Sequence, residues 1–275
     1  MLAVMAAVAT LALVALMAGE WLARRRGMLD FPLYVADPHA GYRMRAQQRG
    51  QFLCRLAWAY DTNGMRAATT PEMADATLLV GDSVVDGGNW IGQEQTLAAR
   101  IAALTGEQVY PVACRGWALA NELAALEQLD DWRRARRLVM VLNPSDFDTI
   151  GVMDDPFAFP TSRPRWALPY LVSKRLGHRG TGARPSPNLR ETNLVRFRTL
   201  VESYSGSIAI VRYPLKGEAA SPDPFYRQLV TARAGIALVD LMASSEWGPH
   251  CYVDHIHPNG QGVEIMARII AQEAF

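Results

Sequence analysis

The sequence predicts an α/β domain in which a parallel β-sheet lies between two layers of helices. From Ala76 onward, short apolar runs alternate regularly with stretches of helical spacing. Strands that alternate with helices form parallel sheets through right-handed crossovers, and the helices then cover both faces of the sheet. The run at 137–142 is almost entirely apolar, as expected for a strand that is buried on both faces.

The alternation predicts each element in turn. The apolar runs predict strands at 77–80, 108–112, 137–142, 208–212 and 236–239. The helical spacing predicts helices at 94–104, 119–129, 192–204, 225–234 and 261–274. Gly106 closes the first of these helices, because glycine readily adopts the left-handed conformation that ends helices. The regular domain therefore covers residues 76–275.

Residues 151–190 interrupt this alternation and are predicted to be an insertion. An apolar stretch at 166–176 predicts one helix within it. A lid or a wall on the substrate side is one interpretation of such a segment, and a disordered surface loop over 177–190 is an equal alternative. The proline and glycine residues that break regular structure here are Pro156, Pro160, Pro164, Pro169, Pro185, Pro187, Gly177, Gly180 and Gly182.

The charge and the cysteines argue against nucleic-acid binding, a zinc site and a redox site. The chain has 275 residues, of which 50% are hydrophobic, and a formal net charge of +1. This balance provides no basic surface for nucleic acid, so no nucleic-acid partner is expected. Cys54, Cys114 and Cys251 are far apart and lack C-x-x-C spacing. We therefore expect neither a zinc site nor a redox site.

The amino terminus predicts a membrane anchor over residues 1–23, and hence a lipid bilayer as a partner. Residues 1–19 contain no charged side chain, and Trp21 and the basic run 24–26 follow. About 20 apolar residues suffice for a helix to cross a bilayer. Tryptophan is common at the boundary between lipid and water. Residues 24–75, with turn signals such as Asp37-Pro38, are interpreted as a connector.

A cleaved signal peptide and a buried helix are the two other interpretations of the amino terminus. A cleaved signal peptide would have a basic residue before the apolar run and an A-x-A site after it, and the sequence has neither. A helix that is apolar on every face could be buried in a soluble protein, but a domain of this size can hardly enclose it. The orientation stays open, since arginines after the span favour a cytoplasmic domain by the positive-inside rule.

Ser83 stands where parallel sheets carry their functional groups. It belongs to the motif Gly81-Asp82-Ser83, directly after the apolar run that ends at Val80. Such groups gather at the carboxyl ends of the strands, and Gly81 permits a tight exit from the strand. A turn that caps the next helix, with Asp82 or Ser83 as N-cap, is the alternative interpretation.

A second segment, which contains Asp254, His255 and His257, favours catalysis. Asp254 and His257 lie one turn apart, so the carboxylate can orient the imidazole, which then takes the proton of a serine hydroxyl. Ser83, His257 and Asp254 are therefore predicted as nucleophile, base and orienting acid. His255 competes for the role of base. A His-x-His pair can also bind a metal, but the sequence offers no matching ligand cluster, so no metal is expected.

A tetrahedral intermediate also needs hydrogen-bond donors that point at its oxyanion. The backbone N–H of Ser83 is one natural donor. Gly116, after the second predicted strand, would provide another backbone N–H, and Asn143, at the end of the third, would provide a side-chain amide. For Gly116 and Asn143 an ordinary turn residue is an equal interpretation.

These motifs resemble those of the GDSL or SGNH hydrolases, which carry Ser, Gly, Asn and His in four separate blocks. Gly81-Asp82-Ser83 matches the first block, and Gly116 falls where the glycine of the second is expected. The third block usually reads G-x-N-D, whereas this chain has Asn143-Pro144-Ser145-Asp146, so that Ser145 takes the usual Asn position. The last block is matched by Asp254-x-x-His257-Pro258-Asn259-Gly260.

The resemblance covers roughly residues 76–275 and implies a flavodoxin-like three-layer fold, no metal or organic cofactor, and ester substrates that include acetylated sugars and lipids. The anchor and the motifs after it resemble a membrane-anchored bacterial subgroup, which implies an inner-membrane protein whose catalytic domain lies outside the cytoplasm. The predicted function is a serine esterase that removes acyl groups from a carbohydrate. An O-acyltransferase with the same residues, and a non-catalytic glycan-binding or assembly component, are the alternatives.

Overall fold

The structure, a computed structural model, describes residues 1–177, 183–218 and 221–275. The helices in this part of the chain are α1 Leu2–Arg25, α2 Ser83–Asp86, α3 Leu97–Thr105, α4 Leu119–Gln128, α5 Ala167–Gly177, α6 Leu189–Glu202, α7 Pro224–Val230 and α8 Gly260–Glu273. The strands are β1 Tyr34–Asp37, β2 Gly41–Met44, β3 Gln48–Phe52, β4 Leu56–Tyr60, β5 Ala76–Gly81, β6 Gln108–Ala113, β7 Arg137–Leu142, β8 Thr149–Gly151, β9 Ala183–Pro185, β10 Ser207–Arg212 and β11 Ile236–Asp240.

The central sheet is parallel throughout and has the strand order β11-β10-β7-β5-β6. Its first strand in the chain, β5, therefore lies between the second and the third. This is the flavodoxin-like order, and ligands of such sheets bind where the order reverses, beyond the carboxyl ends of the two central strands. The predicted fold class is confirmed. Ser83 follows β5 and Asn143 follows β7, so both lie at this reversal.

Alternate side chains of the sheet point into two separate cores. Leu78, Val80 and Met140 contribute to the core on one face, which α4, α6 and α7 cover. Leu79 and Val139 contribute to the core on the other face, which α3 and α8 cover. Because successive residues of a strand point to opposite faces, a strand between two helical layers must be apolar at every position. The apolar runs of the sequence satisfy this condition.

Three predicted helix ends lie three or four residues from the observed ones. The helix predicted at 192–204 begins earlier, at Leu189. The helix predicted at 94–104 begins only at Leu97, because Thr96 accepts a hydrogen bond from the backbone N–H of Ala99 and acts as its N-cap. The helix predicted at 225–234 ends at Val230. Gly235, with a φ of 84°, then turns the chain into β11.

Residues 24–75 are more ordered than a connector. β1 pairs with β2 and β3 pairs with β4, each pair antiparallel. Tyr42, Trp58 and Tyr60 are buried in the same core as α4 and α6. The segment therefore packs on the sheet domain as an integral part of it.

The insertion contains the predicted helix, which is α5. Beyond it, β9 pairs antiparallel with β8, and α6 begins at Leu189, so residues 183–190 are regular and not the disordered loop of the alternative interpretation. Residues 178–182, which include Gly180 and Gly182, lie outside the described residues.

Helix α1 is long and apolar enough to cross a membrane, and none of its most apolar stretch of 18 residues is buried. Its carboxyl-terminal end is attached to the domain, since Glu20 and Ala23 are buried there. The side chain of Glu20 accepts hydrogen bonds from the backbone N–H groups of Ala167 and Leu168 at the start of α5.

Candidate active site

A pocket of about 430 Å³ opens beyond the carboxyl ends of the central strands. The elements that line it come from distant parts of the sequence: the loops after β5, β6 and β7, the insertion and the segment before α8. The lining includes Ser83, Trp90, Gly116, Ser145, Phe159 and His257. The pocket therefore lies where the predicted fold places functional groups.

Ser83 is positioned by the strand that precedes it. Strand β5 ends at Gly81, where a Cβ atom would come within 2.6 Å of the Val85 side chain, so glycine is required for this close turn. Asp82 then acts as N-cap of α2 by accepting a hydrogen bond of 2.8 Å from the backbone N–H of Val84. Asp82 therefore caps the helix, as one interpretation of the motif predicted. The same turn also presents Ser83 to the pocket.

The structure joins the three predicted triad residues by hydrogen bonds. Ser83 Oγ lies 2.9 Å from His257 Nε2, although the two residues are 174 positions apart. His257 Nδ1 lies 2.8 Å from Asp254 Oδ2. His255 also lines the pocket, but it is His257 that contacts both Ser83 and Asp254. This is the geometry in which an imidazole can remove the proton of a serine hydroxyl.

Asp254 is held in place locally and is ionised at neutral pH. Its Oδ1 accepts hydrogen bonds from the backbone N–H groups of Ile256 at 2.9 Å and His257 at 2.8 Å. Partial burial raises the pKa of Asp254, but the hydrogen bonds from the His257 ring and from these two backbone groups outweigh it and lower the pKa to about 2. An ionised Asp254 keeps the proton of the imidazole on Nδ1, which leaves Nε2 free to accept from Ser83.

Trp90 covers His257 and was not predicted from the sequence. The two ring centroids are 4.4 Å apart at an interplanar angle of 58°. The indole lies over Gly88, where a Cβ atom would come within 2.1 Å of it and where φ is 59°, so only glycine fits. The feature of the sequence that could have indicated this role is the pair Gly87-Gly88, which lies close to Ser83 and is followed by the aromatic residue Trp90.

Backbone N–H groups that suit an oxyanion come from Ser83 and Gly116. Ser83 is the first residue of α2, so its N–H has no acceptor within the helix. Gly116 adopts a φ of 78°, and its N–H donates to no acceptor among the described residues. A Cβ atom there would come within 2.9 Å of the Tyr42 hydroxyl, so glycine is required. Both residues line the pocket.

Asn143, the third predicted oxyanion donor, lies behind the pocket and not in its lining. Its amide nitrogen donates to Asp146 Oδ2 at 2.7 Å and lies 3.5 Å from Asp82 Oδ2. Its amide oxygen accepts from the backbone N–H and the hydroxyl of Ser145. Asn143 is 2% exposed, whereas Ser145 reaches the pocket. The structure therefore does not bring the Asn143 amide to the pocket with Ser83 and Gly116.

The amide of Asn143 belongs to a buried acidic cluster made of Asp82, Glu122 and Asp146. Burial raises the pKa of Asp82 to about 6 and holds those of Glu122 and Asp146 well above their ordinary values. Glu122, on α4, is completely buried, and neither of its carboxyl oxygens has a hydrogen-bond partner among the described residues. Ionisation of Glu122 and Asp146 is therefore unfavourable in the folded protein.

The loop after α2, which carries Trp90, is fixed by Arg66. The guanidinium donates to the backbone carbonyls of Asp86 at 2.6 Å, Gly88 at 2.7 Å and Ile91 at 2.6 Å. Asp86, completely buried, accepts from Arg115 Nε at 2.5 Å and from the hydroxyl of Tyr60 at 2.7 Å. Neither role was predicted, because the sequence shows no local sign of such distant partners.

No protein-family model matches the chain, and no curated protein matches it. Among solved structures, it is similar to a lipolytic protein of the G-D-S-L family from Desulfitobacterium hafniense, at 9% identity and a TM-score of 0.46 over 72% of this chain and 98% of that one. An acetylxylan esterase from Geobacillus stearothermophilus has 17% identity and a TM-score of 0.45 over 72% of this chain and 93% of that one.

A carbohydrate esterase of family 2 from Myceliophthora fergusii is also similar, at 14% identity and a TM-score of 0.44 over 77% of this chain and 68% of that one. The G-D-S-L description is that of the family which the sequence motifs resemble. At these identities and TM-scores, the function of this chain has to rest on its own residues.

Glu122→Gln is expected to flatten the dependence of stability on pH. The raised pKa means that folded protein keeps the proton of Glu122 above pH 4.5, its ordinary pKa, whereas unfolded protein releases it. Stability contributed by this group is therefore present at low pH and is lost as pH rises towards the raised pKa, by at most about 1.4 kcal/mol per pH unit. The variant lacks this loss. Urea unfolding of the full chain in detergent micelles between pH 5 and 7 measures the two slopes.

Glu127→Gln, on the same helix, is the matched control. The hydrogen bond from Arg196 lowers the pKa of Glu127, so its replacement leaves the wild-type slope above pH 5 in place. Parallel curves for wild type and Glu122→Gln would contradict the expectation.

Proposed function

We propose that this protein is a serine esterase of the SGNH type that removes acyl groups, acetyl above all, from esters of a carbohydrate. The observation that carries the proposal is the continuous hydrogen-bonded chain from Ser83 Oγ through His257 to Asp254 in an open pocket. A serine, an imidazole and a carboxylate in this order form the machinery of acyl transfer through an acyl-enzyme.

In the first half of the reaction, Ser83 Oγ attacks the carbonyl carbon of the ester while His257 Nε2 takes its proton. The negative charge that develops on the carbonyl oxygen is stabilised by the N–H groups of Ser83 and Gly116. Collapse of the tetrahedral intermediate breaks the bond to the alcohol, and His257 returns the proton to the departing oxygen. In the second half, water attacks the acyl-enzyme with His257 again as base.

Asn143 supports this site indirectly. Its amide hydrogens are directed at Asp146 and Asp82, so the backbone donors of Ser83 and Gly116 are proposed to hold the oxyanion without it. By accepting from Ser145 and donating to Asp82, Asn143 links the loop after β7 to the turn that carries the nucleophile. No step requires a metal or an organic cofactor.

A carbohydrate is proposed as the alcohol because of Trp90. The indole is 38% exposed and stands beside His257, so it can cover the apolar face of a sugar ring whose ester lies at Ser83. Phe159 and Trp117 give the rest of the pocket aromatic walls that suit a short acyl group.

Helix α1 supports a proposal about the location of the protein. We propose that this helix anchors the protein in the inner membrane of a bacterium, with the domain outside the cytoplasm where envelope polysaccharide would be the substrate. Its length, its mean hydropathy of 2.4 over the best stretch and the exposure of that stretch support a span. The side of the membrane rests on the resemblance to the anchored subgroup.

Ser83→Ala is expected to abolish hydrolysis of p-nitrophenyl acetate, with kcat lower by roughly 10⁶-fold, because the nucleophile is absent. The same variant should not react with a fluorophosphonate probe. Ser145→Ala is the matched control, since Ser145 lies in the same pocket, has no histidine partner in the described part of the chain, and its loss leaves Ser83 able to react. Unchanged hydrolysis by Ser83→Ala would rule out the proposal, and an acylated product with an added acceptor sugar would identify a transferase.

Asp254→Asn is expected to lower kcat by roughly 10⁴-fold with little change in KM, because an amide facing Nδ1 favours the wrong tautomer of His257. Steady-state kinetics on p-nitrophenyl acetate measures both constants. His257→Ala should lose at least as much, and His255→Ala far less. A larger loss for His255→Ala than for His257→Ala would reverse the assignment of the base.

Trp90→Ala is expected to raise KM for an acetylated oligosaccharide by about tenfold, a loss of roughly 1.4 kcal/mol of stacking. For p-nitrophenyl acetate, which has no sugar ring, the effect on KM should be smaller. Comparison of the two substrates with wild type and variant tests this. Equal losses on both substrates would argue against a sugar at Trp90 while leaving the esterase chemistry intact.

A further inference from the structure

One face of helix α5 packs against the rest of the protein, and another face is exposed. On the first face, Ala167 is buried and Tyr170 stacks on Phe31 with ring centroids 5.6 Å apart. The other face carries an apolar stripe formed by Leu168, Val172 and Leu176, which are spaced four residues apart and so lie on one side of the helix. Within the stripe Val172 is 57% exposed and Leu176 is 83% exposed.

The stripe begins on helix α1. At Gly19 a Cβ atom would come within 3.2 Å of Leu168 Cδ1, so the two helices meet closely at this point. The carboxylate of Glu20 accepts from the backbone N–H groups of Ala167 at 2.8 Å and Leu168 at 2.9 Å, which have no acceptor within α5. Arg24 Nε in turn donates a hydrogen bond of 2.5 Å to Glu20 Oε1. The end of α1 is therefore fixed to the start of α5.

This contact lies at the depth where a membrane would end. Residues 2–19 of α1 extend for about 27 Å at 1.5 Å per residue, close to the hydrocarbon thickness of a bilayer. Glu20 is the first charged residue after them. A bilayer that surrounds α1 would therefore reach the beginning of α5, where the stripe starts at Leu168.

The side chains around the stripe match the headgroup region of a membrane. Trp21 and Trp166 are 57% and 49% exposed at the junction of the two helices, and exposed tryptophan is typical of this region. Basic residues lie on the chain segments at this junction, and Arg175 lies in the last turn of α5. Such residues attract anionic phospholipid. The residues near the junction are Arg24, Arg25, Arg26 and Arg165.

We propose that α5 is a second membrane contact, an interfacial helix whose stripe of Leu168, Val172 and Leu176 lies against a bilayer that contains anionic phospholipid. Apolar residues beside basic ones and tryptophan are the composition of helices that lie in this interface. The inference depends on α1 crossing the membrane and not on the proposed chemistry.

The contact would also fix the orientation of the pocket. The insertion that carries α5 supplies Ala158, Phe159 and Ala183 to the pocket wall. With α1 and α5 both held by the bilayer, the domain has two points of attachment. The distance and the angle between the pocket wall and the membrane surface would then stay constant.

A fluorescent probe on the full chain in lipid nanodiscs tests the proposal. In a Cys54→Ser background, Val172→Cys is labelled with nitrobenzoxadiazole, while the other two cysteines, Cys114 and Cys251, are buried. Val195→Cys on α6 is the matched control, because Val195 is 58% exposed and Val172 is 57% exposed. The nanodiscs contain equal parts of phosphatidylcholine and phosphatidylglycerol, with or without brominated acyl chains.

The expected result is a blue-shifted emission at position 172 that brominated lipid quenches, and a water-like, unquenched emission at position 195. Replacing phosphatidylglycerol with phosphatidylcholine should weaken the quenching at 172. Water-like emission at both positions would overturn the proposal. So would a blue shift at 172 that brominated lipid leaves unquenched, because it would indicate protein, such as a second copy of the chain, on the stripe. Equal melting temperatures of the two labelled variants check that both are folded.

Discussion

The buried carboxylate of Asp86 is the constraint on which the rest of the site depends. It accepts hydrogen bonds from the side chains of Arg115 and Tyr60, and the guanidinium of Arg66 donates a hydrogen bond to the backbone carbonyl of Asp86. Removing one partner of such a buried charge pair costs about 3–5 kcal/mol, because the other charge is then left without compensation. This cluster joins β4, the loop after it, the end of α2 and the loop after β6, and from it the chain continues through Gly88 to Trp90 over His257.

The cluster explains why residues 24–75 belong to the domain. Tyr60 and Arg66 lie before the first strand of the central sheet, yet their partners are the loops that form the pocket. Tyr42 approaches Gly116 closely and donates to the carbonyl of Arg115 beside it. A chain that lacked this segment would retain Ser83 and His257 but would lose the groups that fix the loops around them.

The fold and the triad could be predicted because their signals are local. Buried strands must be apolar, and the carboxyl ends of parallel strands share one edge, so the sheet and the position of Ser83 could be predicted from the sequence. His257 and Asp254 were assigned from their own spacing and from the resemblance of the motifs to the GDSL or SGNH hydrolases. The direction of the Asn143 amide could not be predicted, because packing that no spacing reveals directs it at Asp146 and Asp82. Trp90 and Arg66 were missed for the same reason: their roles come from distant partners.

The two halves of the triad are held by unlike means, and this difference makes the geometry rigid. Ser83 is fixed by its strand and by the close turn at Gly81, whereas Asp254 and His257 form a local turn that the bridge between Tyr252 and Pro258 closes. Tyr252 packs with Tyr213 and Trp247 beneath that turn, and Asn259 then caps α8, which packs on α3 behind the sheet. Because each half is fixed to a different part of the core, packing sets the Ser83–His257 hydrogen bond before any substrate arrives, and the proposed reaction requires such preorganisation.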